Sequence, residues 1–319
     1  MIPFEYRTPK NLKEVHATLQ EFGPEAKLIA GGTALVIMMK QRLVRPSCLV
    51  SLRSVRGLNG IELKDGGLSI GGLATHREVE RSSLVRRRLP MLAETYHHVA
   101  TIRVRNMATV GGGLAHADPN QDPPPALIAL GASVKAASAN GSRVLPLDSF
   151  FTDYYESVLN PDEIITELFI PRLAPNTGAA YLKFLPRTAD DYATVSAAAV
   201  LTLDKNLKTI NDVRIALGSV GTTPIRATAA EAVLRGQPVK AEAFAEAGEK
   251  AKDAVDPISD FRGSAGYKKD MAAVFVRRAL EKALGDIRQQ ARAKASAKPA
   301  KPAAKKKAAK KAAKKRSRR

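Results

Sequence analysis

Three clusters of glycine constrain the fold of this chain more than any other feature: Gly31–Gly32, Gly71–Gly72 and Gly111–Gly113. Glycine adopts positive φ easily and lets a ligand approach the main chain closely. Consecutive backbone amides in such turns form a concavity that binds anions and suits a diphosphate. Each cluster alone is also compatible with a tight turn, and none matches the G-x-G-x-x-G or P-loop pattern. The clusters therefore argue against a Rossmann fold and leave a tight turn and a diphosphate site as alternatives.

The single cysteine, Cys48, limits the cofactors that the chain can hold by itself. A disulfide within the chain needs two cysteines, and an iron–sulfur cluster needs about four thiolates. Cys48 is therefore expected to be a small buried apolar residue. The five histidines show no spacing typical of metal ligands, so we predict no metal site. Any iron–sulfur centre that the function requires must lie on a partner.

The positive charge of the chain is concentrated at its C-terminal end. The formal net charge is +20, but fourteen of the 51 Lys and Arg residues, and none of the 31 Asp and Glu residues, follow residue 290. Residues 290–319 are rich in Lys and Ala and carry too few apolar side chains to form a core, which predicts a disordered tail. Such a tail is typical of arms that bind nucleic acid, an acidic partner or a membrane surface.

The sequence gives no indication of export or of membrane insertion. No run of about 18 apolar residues occurs. The first ten residues, MIPFEYRTPK, lack the charged and then apolar layout of a signal peptide. We therefore expect a cytoplasmic protein, and peripheral attachment to the inner face of the membrane stays open.

The hydrophobic pattern divides the chain into two domains and the tail. Residues 1–172 alternate short apolar runs with helical patterns, and a division near residue 55 gives two subdomains, about 1–55 and 56–172. Residues 178–285 show long strands first and helices afterwards, which is typical of a separate α+β domain.

Caps and periodicity predict the individual elements. Thr75 and Glu78 have the spacing of a capping box, and Arg103–Pro125, rich in Gly, Asp and Pro, is predicted to be a loop before a helix. The predicted strands are Lys27–Ala30, Cys48–Ser51, Ile61–Leu63, Leu68–Ile70, Ala132–Ala137, Arg143–Pro146, Tyr181–Leu185, Thr194–Leu203 and Ile210–Leu217. The predicted helices are Asn11–Phe22, Thr33–Gln41, one that begins after Thr75, Leu89–Thr101, Ala126–Leu130, Arg226–Arg235, Ala241–Lys252 and Tyr267–Leu284.

Two stretches give the chain a specific resemblance. Leu28–Leu35 and Ile102–Gly112 resemble the two FAD loops of the flavoprotein subunits of molybdenum hydroxylases, such as the medium subunit of carbon monoxide dehydrogenase and the FAD domain of xanthine dehydrogenase. Leu114–Pro119, Asp122–Pro124 and the segments around Lys183 and Tyr192 continue the resemblance, which spans about residues 1–285. It implies an α+β fold: a PCMH-type FAD-binding domain, like that of vanillyl-alcohol oxidase, with two subdomains. A carbon monoxide dehydrogenase flavoprotein-type C-terminal domain of three strands and a helical bundle follows.

The resemblance also implies a set of residues that contact FAD. The two glycine loops are expected to hold the diphosphate through main-chain groups. Thr33-Ala34-Leu35 stands where covalently flavinylated relatives of the wider fold carry a histidine, so FAD is expected to be bound non-covalently. The expected contacts are Leu28, Ile29, Ala30, Gly31, Gly32, Thr33, Ala34, Leu35, Val99, Thr109, Val110, Gly111, Gly112, Gly113, Asp122, Ile165, Lys183 and Tyr192.

Five of these residues have individual roles implied by the resemblance. Asp122 is expected to hydrogen-bond the adenosine ribose, and Ile165 to contact the adenine side through its backbone. Lys183 is expected near the isoalloxazine or its ribityl chain, and Tyr192 over one face of the ring near N5. Val99 stands where some relatives have an aromatic residue against the flavin. By residue type alone, Asp122 also fits a helix start, Lys183 a solvated charge and Tyr192 a half-buried strand position.

The resemblance places the remaining cofactors on other subunits. A large molybdopterin-binding subunit and a small 2Fe–2S subunit are the expected partners, in a dimer of heterotrimers. Electrons from the 2Fe–2S subunit would pass through FAD to quinone, NAD or oxygen, so this chain needs no catalytic side chain of its own. Two alternatives stay open: a protein that binds nucleic acid or anionic surfaces through its basic tail, and a stand-alone FAD oxidase.

Overall fold

The structure is a computed structural model that describes residues 2–185, 188 and 191–296. The part of the predicted tail from residue 297 on lies outside these residues. No helix among those described is long and apolar enough to cross a bilayer. The chain forms an N-terminal domain with two sheets and a C-terminal domain with one, besides a two-stranded hairpin.

The N-terminal domain begins with a small parallel sheet that carries the first glycine cluster. Its elements are β1 (Glu5–Arg7), α1 (Leu12–Phe22), β2 (Ala26–Ile29), α2 (Leu35–Lys40) and β3 (Cys48–Ser51). The strand order is β1-β3-β2, and both pairings are parallel. Helix α1 packs Val15 and Leu19 into the same buried cluster as Cys48 and Val50 of the central strand. Because β2 is a parallel strand, the loop that follows it lies at the carboxyl edge of the sheet.

A five-stranded antiparallel sheet and six short helices form the rest of this domain. The elements are β4 (Ile61–Lys64), β5 (Gly67–Gly71), α3 (His76–Arg81), α4 (Ser83–Arg88), α5 (Pro90–His97), α6 (Ile102–Met107), α7 (Val110–His116), α8 (Pro123–Ala129), β6 (Ser133–Ser138), β7 (Gly141–Pro146), β8 (Phe151–Asp153), β9 (Glu156–Ser157) and β10 (Ile164–Ile170). The strand order is β4-β5-β10-β6-β7, and β8 pairs with β9 in the hairpin. The helices and this sheet share one core that includes Ile70, Leu92, Leu127 and Leu168.

The C-terminal domain is an antiparallel sheet with helices on one face. Its elements are β11 (Thr177–Phe184), β12 (Val195–Leu203), β13 (Ile210–Gly218), β14 (Ile225–Arg226), α9 (Thr228–Ala232), α10 (Ala241–Ala251) and α11 (Ala265–Ser296). Side chains alternate between the faces of a strand. Tyr181 and Ala198 therefore join the core of the N-terminal domain, whereas Ala180 and Ala199 pack with the helices. One face of this sheet thus packs against the N-terminal domain, and the other face packs against the helices of the C-terminal domain.

The prediction that Arg103–Pro125 is a loop is wrong, because most of this segment is helical. Helices α6 and α7 lie inside it, and α8 begins at its end. Thr101 and Thr109 cap α6 and α7, accepting hydrogen bonds from the backbone amides of Val104 and Gly112. Three glycines in one helix are unfavourable by propensity. Tertiary packing against the second glycine cluster overrides that propensity here.

Other boundaries also differ from the sequence-based expectation. Strand β10 lies at the centre of its sheet but is not among the predicted strands, and the C-terminal sheet has the short fourth strand β14. Helix α11 continues to Ser296, so its predicted end at Leu284 and the predicted start of the tail at residue 290 are both too early. By contrast, the capping box of Thr75 and Glu78 is confirmed.

Candidate cofactor-binding site

The loop after β2 presents a row of backbone donors. None of the amide N–H groups of residues 31–35 donates to an acceptor within the described part of the chain. Residues 30–36 are half-buried, so the row is accessible while being partly enclosed by protein. Gly32 has φ +69°, a conformation that glycine adopts without strain. A run of five such donors at the start of α2 is suited to phosphate oxygens.

The second loop lies directly against the first. A Cβ atom on Gly31 would collide with the carbonyl of Met107, at the end of α6. A Cβ on Gly112 would lie 2.7 Å from Thr109 Oγ1 and 3.8 Å from Ala30 Cβ. The small residues therefore allow the two loops to pack closely against each other. The sequence of either loop alone did not predict this contact.

The amides of the second loop, unlike those of the first, already have acceptors. The resemblance implies that both loops offer main-chain groups to the diphosphate, and for the second loop this stays a prediction. The donor–acceptor pairs are Val110 N–H to Ala74 O (2.9 Å), Gly111 N–H to Gly72 O (2.8 Å), Gly112 N–H to Thr109 Oγ1 (3.1 Å) and Gly113 N–H to Thr109 O (2.9 Å). The Thr109 hydroxyl keeps its own proton for donation, because it acts only as an acceptor here.

The Gly71–Gly72 cluster supports the second loop. A Cβ on Gly111 would lie 2.8 Å from the carbonyl oxygen of Gly72 and 3.2 Å from that of Ile165. A Cβ on Gly72 would collide with the carbonyl of Ile165. Ile165 itself is buried in β10. These close main-chain contacts are enough to explain why positions 72 and 111 are glycine. They do not require a ligand beside Gly72 or Gly111.

Asp122 and Lys183 meet across the domain interface. Lys183 Nζ lies 2.9 Å from Asp122 Oδ2 and 3.0 Å from the carbonyl oxygen of His98. Tyr181 donates its hydroxyl to Asp122 Oδ1 at 2.6 Å. The side chains of Lys183 and Asp122 are only 2% and 6% exposed. Burial raises the pKa of Asp122, and the charge of Lys183 and the two hydrogen bonds oppose that rise.

The ribose contact that the resemblance implies for Asp122 stays a prediction, and the structure shows which protein groups its carboxylate bonds. Both of its carboxylate oxygens already accept hydrogen bonds from buried protein donors. The expected positions of Asp122 and Lys183 also lie on opposite sides of the diphosphate, whereas the two side chains touch. The sequence did not predict these two contacts, because Tyr181 and Lys183 belong to the other domain. Within the described residues, Asp122 is the partner that holds the Lys183 ammonium.

Tyr192 is tied to the segment that follows the second loop. Its hydroxyl donates to Asp118 Oδ2 at 2.7 Å, and the Arg262 guanidinium lies 5.9 Å from the centre of its ring. Burial and the charge of Asp118 raise the pKa of Tyr192. Asp118 is buried and also accepts from the amide of Asn120. Asp118 lay inside a stretch that carried the resemblance, but it had no assigned role.

The predicted residues thus fall into two connected groups. Leu28 and Ile29 end β2, and Leu35 begins α2, so the free amides lie between them. The second group surrounds Lys183: Val99 follows His98, whose carbonyl receives Lys183, and Asp122 is its partner. The second loop contacts the first loop at one end, and helix α7 leads from it towards Asp118 and Asp122 at the other.

The residues present fit an FAD molecule. Five amides without an acceptor among the described residues provide for a diphosphate, and the glycines of both loops let the two loops pack closely against each other. Lys183, a buried cation at the domain interface, and the ring of Tyr192, which is bonded to Asp118, provide a charged and an aromatic group. Such a set suits a cofactor with a central diphosphate and a large planar ring.

Comparison with known families agrees with this site. Residues 2–173 match the family described as FAD binding domain in molybdopterin dehydrogenase. Residues 180–283 match the CO dehydrogenase flavoprotein C-terminal domain. The fold and the site therefore define an FAD-binding oxidoreductase subunit.

Relatives and solved structures narrow the class. The chain is 38% identical over 285 residues to the carbon monoxide dehydrogenase medium chain of Hydrogenophaga pseudoflava, covering 89% of this chain and 98% of that one. The solved carbon monoxide dehydrogenase of that organism superposes with a TM-score of 0.86 at 39% identity, covering 90% and 99%. Quinoline 2-oxidoreductase from Pseudomonas putida 86 gives a TM-score of 0.82 at 35% identity, covering 88% and 97%. The chain belongs to the family of FAD-binding medium subunits of molybdenum hydroxylases.

Proposed function

We propose that this chain is the FAD-carrying electron-transfer subunit of a heteromeric molybdenum hydroxylase. Its partners in this proposal are a large molybdopterin-binding subunit and a small 2Fe–2S subunit. The medium-chain relatives, such as the nicotine 6-hydroxylase medium subunit of Paenarthrobacter nicotinovorans, support it, since their names describe one chain of a larger enzyme. The substrate of the complex would be oxidised on the large subunit.

The observation that carries the proposal is a row of amides without an acceptor among the described residues, together with a buried cation that Asp122 and the His98 carbonyl hold. The amides of residues 31–35 bind the diphosphate, and the Thr109 hydroxyl adds a donor from the second loop. Lys183 keeps a fixed position beside the ring because Asp122 and the His98 carbonyl hold it. Tyr192, held by Asp118, covers the ring.

Other contacts implied by the resemblance form part of the same proposal. The carbonyl side of Ile165 lies under the second loop and contacts the adenine end. Val99, beside the Lys183 contact, forms the wall opposite Tyr192. FAD, when bound, supplies the redox chemistry, because it exchanges electrons one or two at a time. The protein contributes binding, orientation and a fixed positive charge.

The cysteine content supports a partner as the source of electrons. Cys48 is the only cysteine in the sequence, and it is fully buried in the first subdomain. An iron–sulfur cluster needs about four thiolates, so a 2Fe–2S centre belongs on another chain. The terminal acceptor in this proposal is a quinone, NAD or oxygen.

The proposal is tested by purifying the complex through an affinity tag on this chain. We expect two further subunits, together with iron, molybdenum and one FAD per copy of this chain. Anaerobic addition of the substrate of the complex should bleach the flavin absorption near roughly 450 nm. The isolated chain with FAD alone should not bleach with the same substrate. Bleaching of the isolated chain would instead support a stand-alone oxidase.

A further inference from the structure

Two buried cations hold three consecutive carbonyl groups at the end of α5. Lys183 Nζ donates to the His98 carbonyl at 3.0 Å. Arg105 Nη1 donates to the carbonyls of Val99 and Ala100, at 2.8 and 2.7 Å. The side chains of Lys183 and Arg105 are 2% and 9% exposed. One cation belongs to each domain, so the turn of residues 98–100 is fixed from both sides.

Glu80 holds Arg105 in this position. Its Oε2 accepts from Arg105 Nε at 2.9 Å, and its Oε1 accepts from Arg77 Nη1 at 2.6 Å and lies 2.9 Å from His97 Nδ1. The Glu80 side chain is only 4% exposed. A planar guanidinium can bond a carboxylate and two carbonyls at once, which an ammonium cannot do in the same geometry. Glu80 and Arg105 therefore act as one unit on the turn.

The turn needs this support because its backbone is strained. Ala100 has φ +38°, and positive φ is costly for a residue with a Cβ. Burying an ion pair also carries a desolvation cost, so a buried pair is weak evidence of a role in stability alone. Strain that the surroundings enforce is concentrated at ligand sites. The turn carries Val99, the residue expected against the ring, and receives Lys183, the cation expected beside it.

We propose that Glu80 and Arg105 are positioning residues for the cofactor site, which fix the turn of residues 98–100 so that Val99 and Lys183 keep their places against FAD. This inference rests on the proposed function. Neither residue is expected to touch the cofactor, because Glu80 acts through Arg105 and Arg105 acts through the carbonyls of the turn.

The test compares Glu80→Gln and Arg105→Lys with a matched control, Glu231→Gln. Glu231 is also a fully buried glutamate, bonded to Arg226 and Arg235, but it lies in α9 of the C-terminal domain. FAD is titrated into each apoprotein, and the Kd, the visible circular dichroism of the bound flavin and the melting temperature of the apoprotein are measured. Arg105→Lys keeps the positive charge and is expected to fold, so it tests the inference even if Glu80→Gln does not fold.

We expect Glu80→Gln and Arg105→Lys to raise the Kd for FAD at least about tenfold and to change the flavin dichroism. Glu231→Gln should lower the melting temperature and leave Kd and dichroism within about twofold of wild type. Wild-type Kd and dichroism in both Glu80→Gln and Arg105→Lys would overturn the inference, as would an equal rise of Kd in Glu231→Gln. Failure of the wild-type chain to bind FAD would instead overturn the proposed function.

Discussion

Asp122 and Lys183 form a closed ion pair between the two domains, with 2.9 Å between Oδ2 and Nζ. They are separated by 61 residues along the chain. The pair joins the start of α8 to strand β11, and Tyr181 completes it by donating to the second carboxylate oxygen. Because both side chains are almost entirely buried, neither charge has water as an alternative partner. The pair therefore fixes where the C-terminal sheet lies against the N-terminal domain.

Asp122→Asn should destabilise the protein strongly. The substitution leaves the Lys183 ammonium buried beside a neutral amide, and loss of one partner of a buried pair costs about 3 to 5 kcal/mol. The measurement is the free energy of unfolding from urea denaturation. The double substitution Asp122→Leu with Lys183→Met removes both charges and should recover most of the loss. A single substitution that costs under about 1 kcal/mol would contradict the buried pair.

Gly31→Ala should abolish or severely weaken FAD binding. The new Cβ would collide with the Met107 carbonyl, so the first loop must move away from the second. Spectral titration should then give a Kd raised by about 100-fold or more, a loss of at least about 2.7 kcal/mol of binding energy. Gly60→Ala is the matched control, because Gly60 has no atom within 4 Å of its Cβ position. Equal affinity in Gly31→Ala and Gly60→Ala would refute the close contact of the loops.

Glu80 should make stability depend on pH in the acid range. Burial alone would raise its pKa, but hydrogen bonds from His97 and Arg77 and the charge of Arg105 lower it to about 2 from 4.5. A lowered carboxyl pKa contributes stability above the unfolded value, which is lost as the pH falls from 4.5 towards 2. The difference corresponds to about 3 kcal/mol. Urea unfolding of Glu80→Gln across this range should show a flatter pH dependence than wild type, and an unchanged slope would speak against the network.

His76 should contribute a second pH dependence at milder acidity. Burial lowers its pKa from 6.5 to about 4, although a hydrogen bond to the Thr109 backbone opposes the shift. Between these values the unfolded chain binds a proton that the folded chain does not, so stability falls as the pH falls from 6.5 towards 4. His76→Gln should reduce that loss by up to about 3 kcal/mol in denaturation measured at pH 7 and pH 4.5. Equal losses in His76→Gln and wild type would contradict a buried neutral His76.

The sequence predicted local features well where local chemistry determines them. The strand Cys48–Ser51 has the predicted bounds, and Thr75 caps α3 as predicted. The first glycine loop, residues 30–34, follows β2 as expected. These features depend on apolar runs and on side chains that bond their own backbone a few residues away.

Features that depend on distant partners were missed. Helix α7 contains Gly111–Gly113, and Gly72 and Ile165 pack against it. Local helix propensity therefore wrongly predicts a loop at these glycines. Strand β10 pairs with β5, about a hundred residues earlier, and its sequence IITELFI has no regular alternation. The contact of Asp122 with Lys183 was missed for the same reason, because Lys183 lies in the other domain.

In the proposed function, the amides of the first loop and the groups around Lys183 bind one FAD. The most direct measurement is titration of the purified wild-type chain, stripped of any bound flavin, with FAD followed by flavin absorption and fluorescence. We expect saturation at one FAD per chain, in a complex that stays yellow through gel filtration. Riboflavin, which lacks the diphosphate, should bind far more weakly because it leaves the amide row unused. A folded chain that stays colourless after FAD addition, or that binds riboflavin as tightly as FAD, would contradict a diphosphate-binding FAD site.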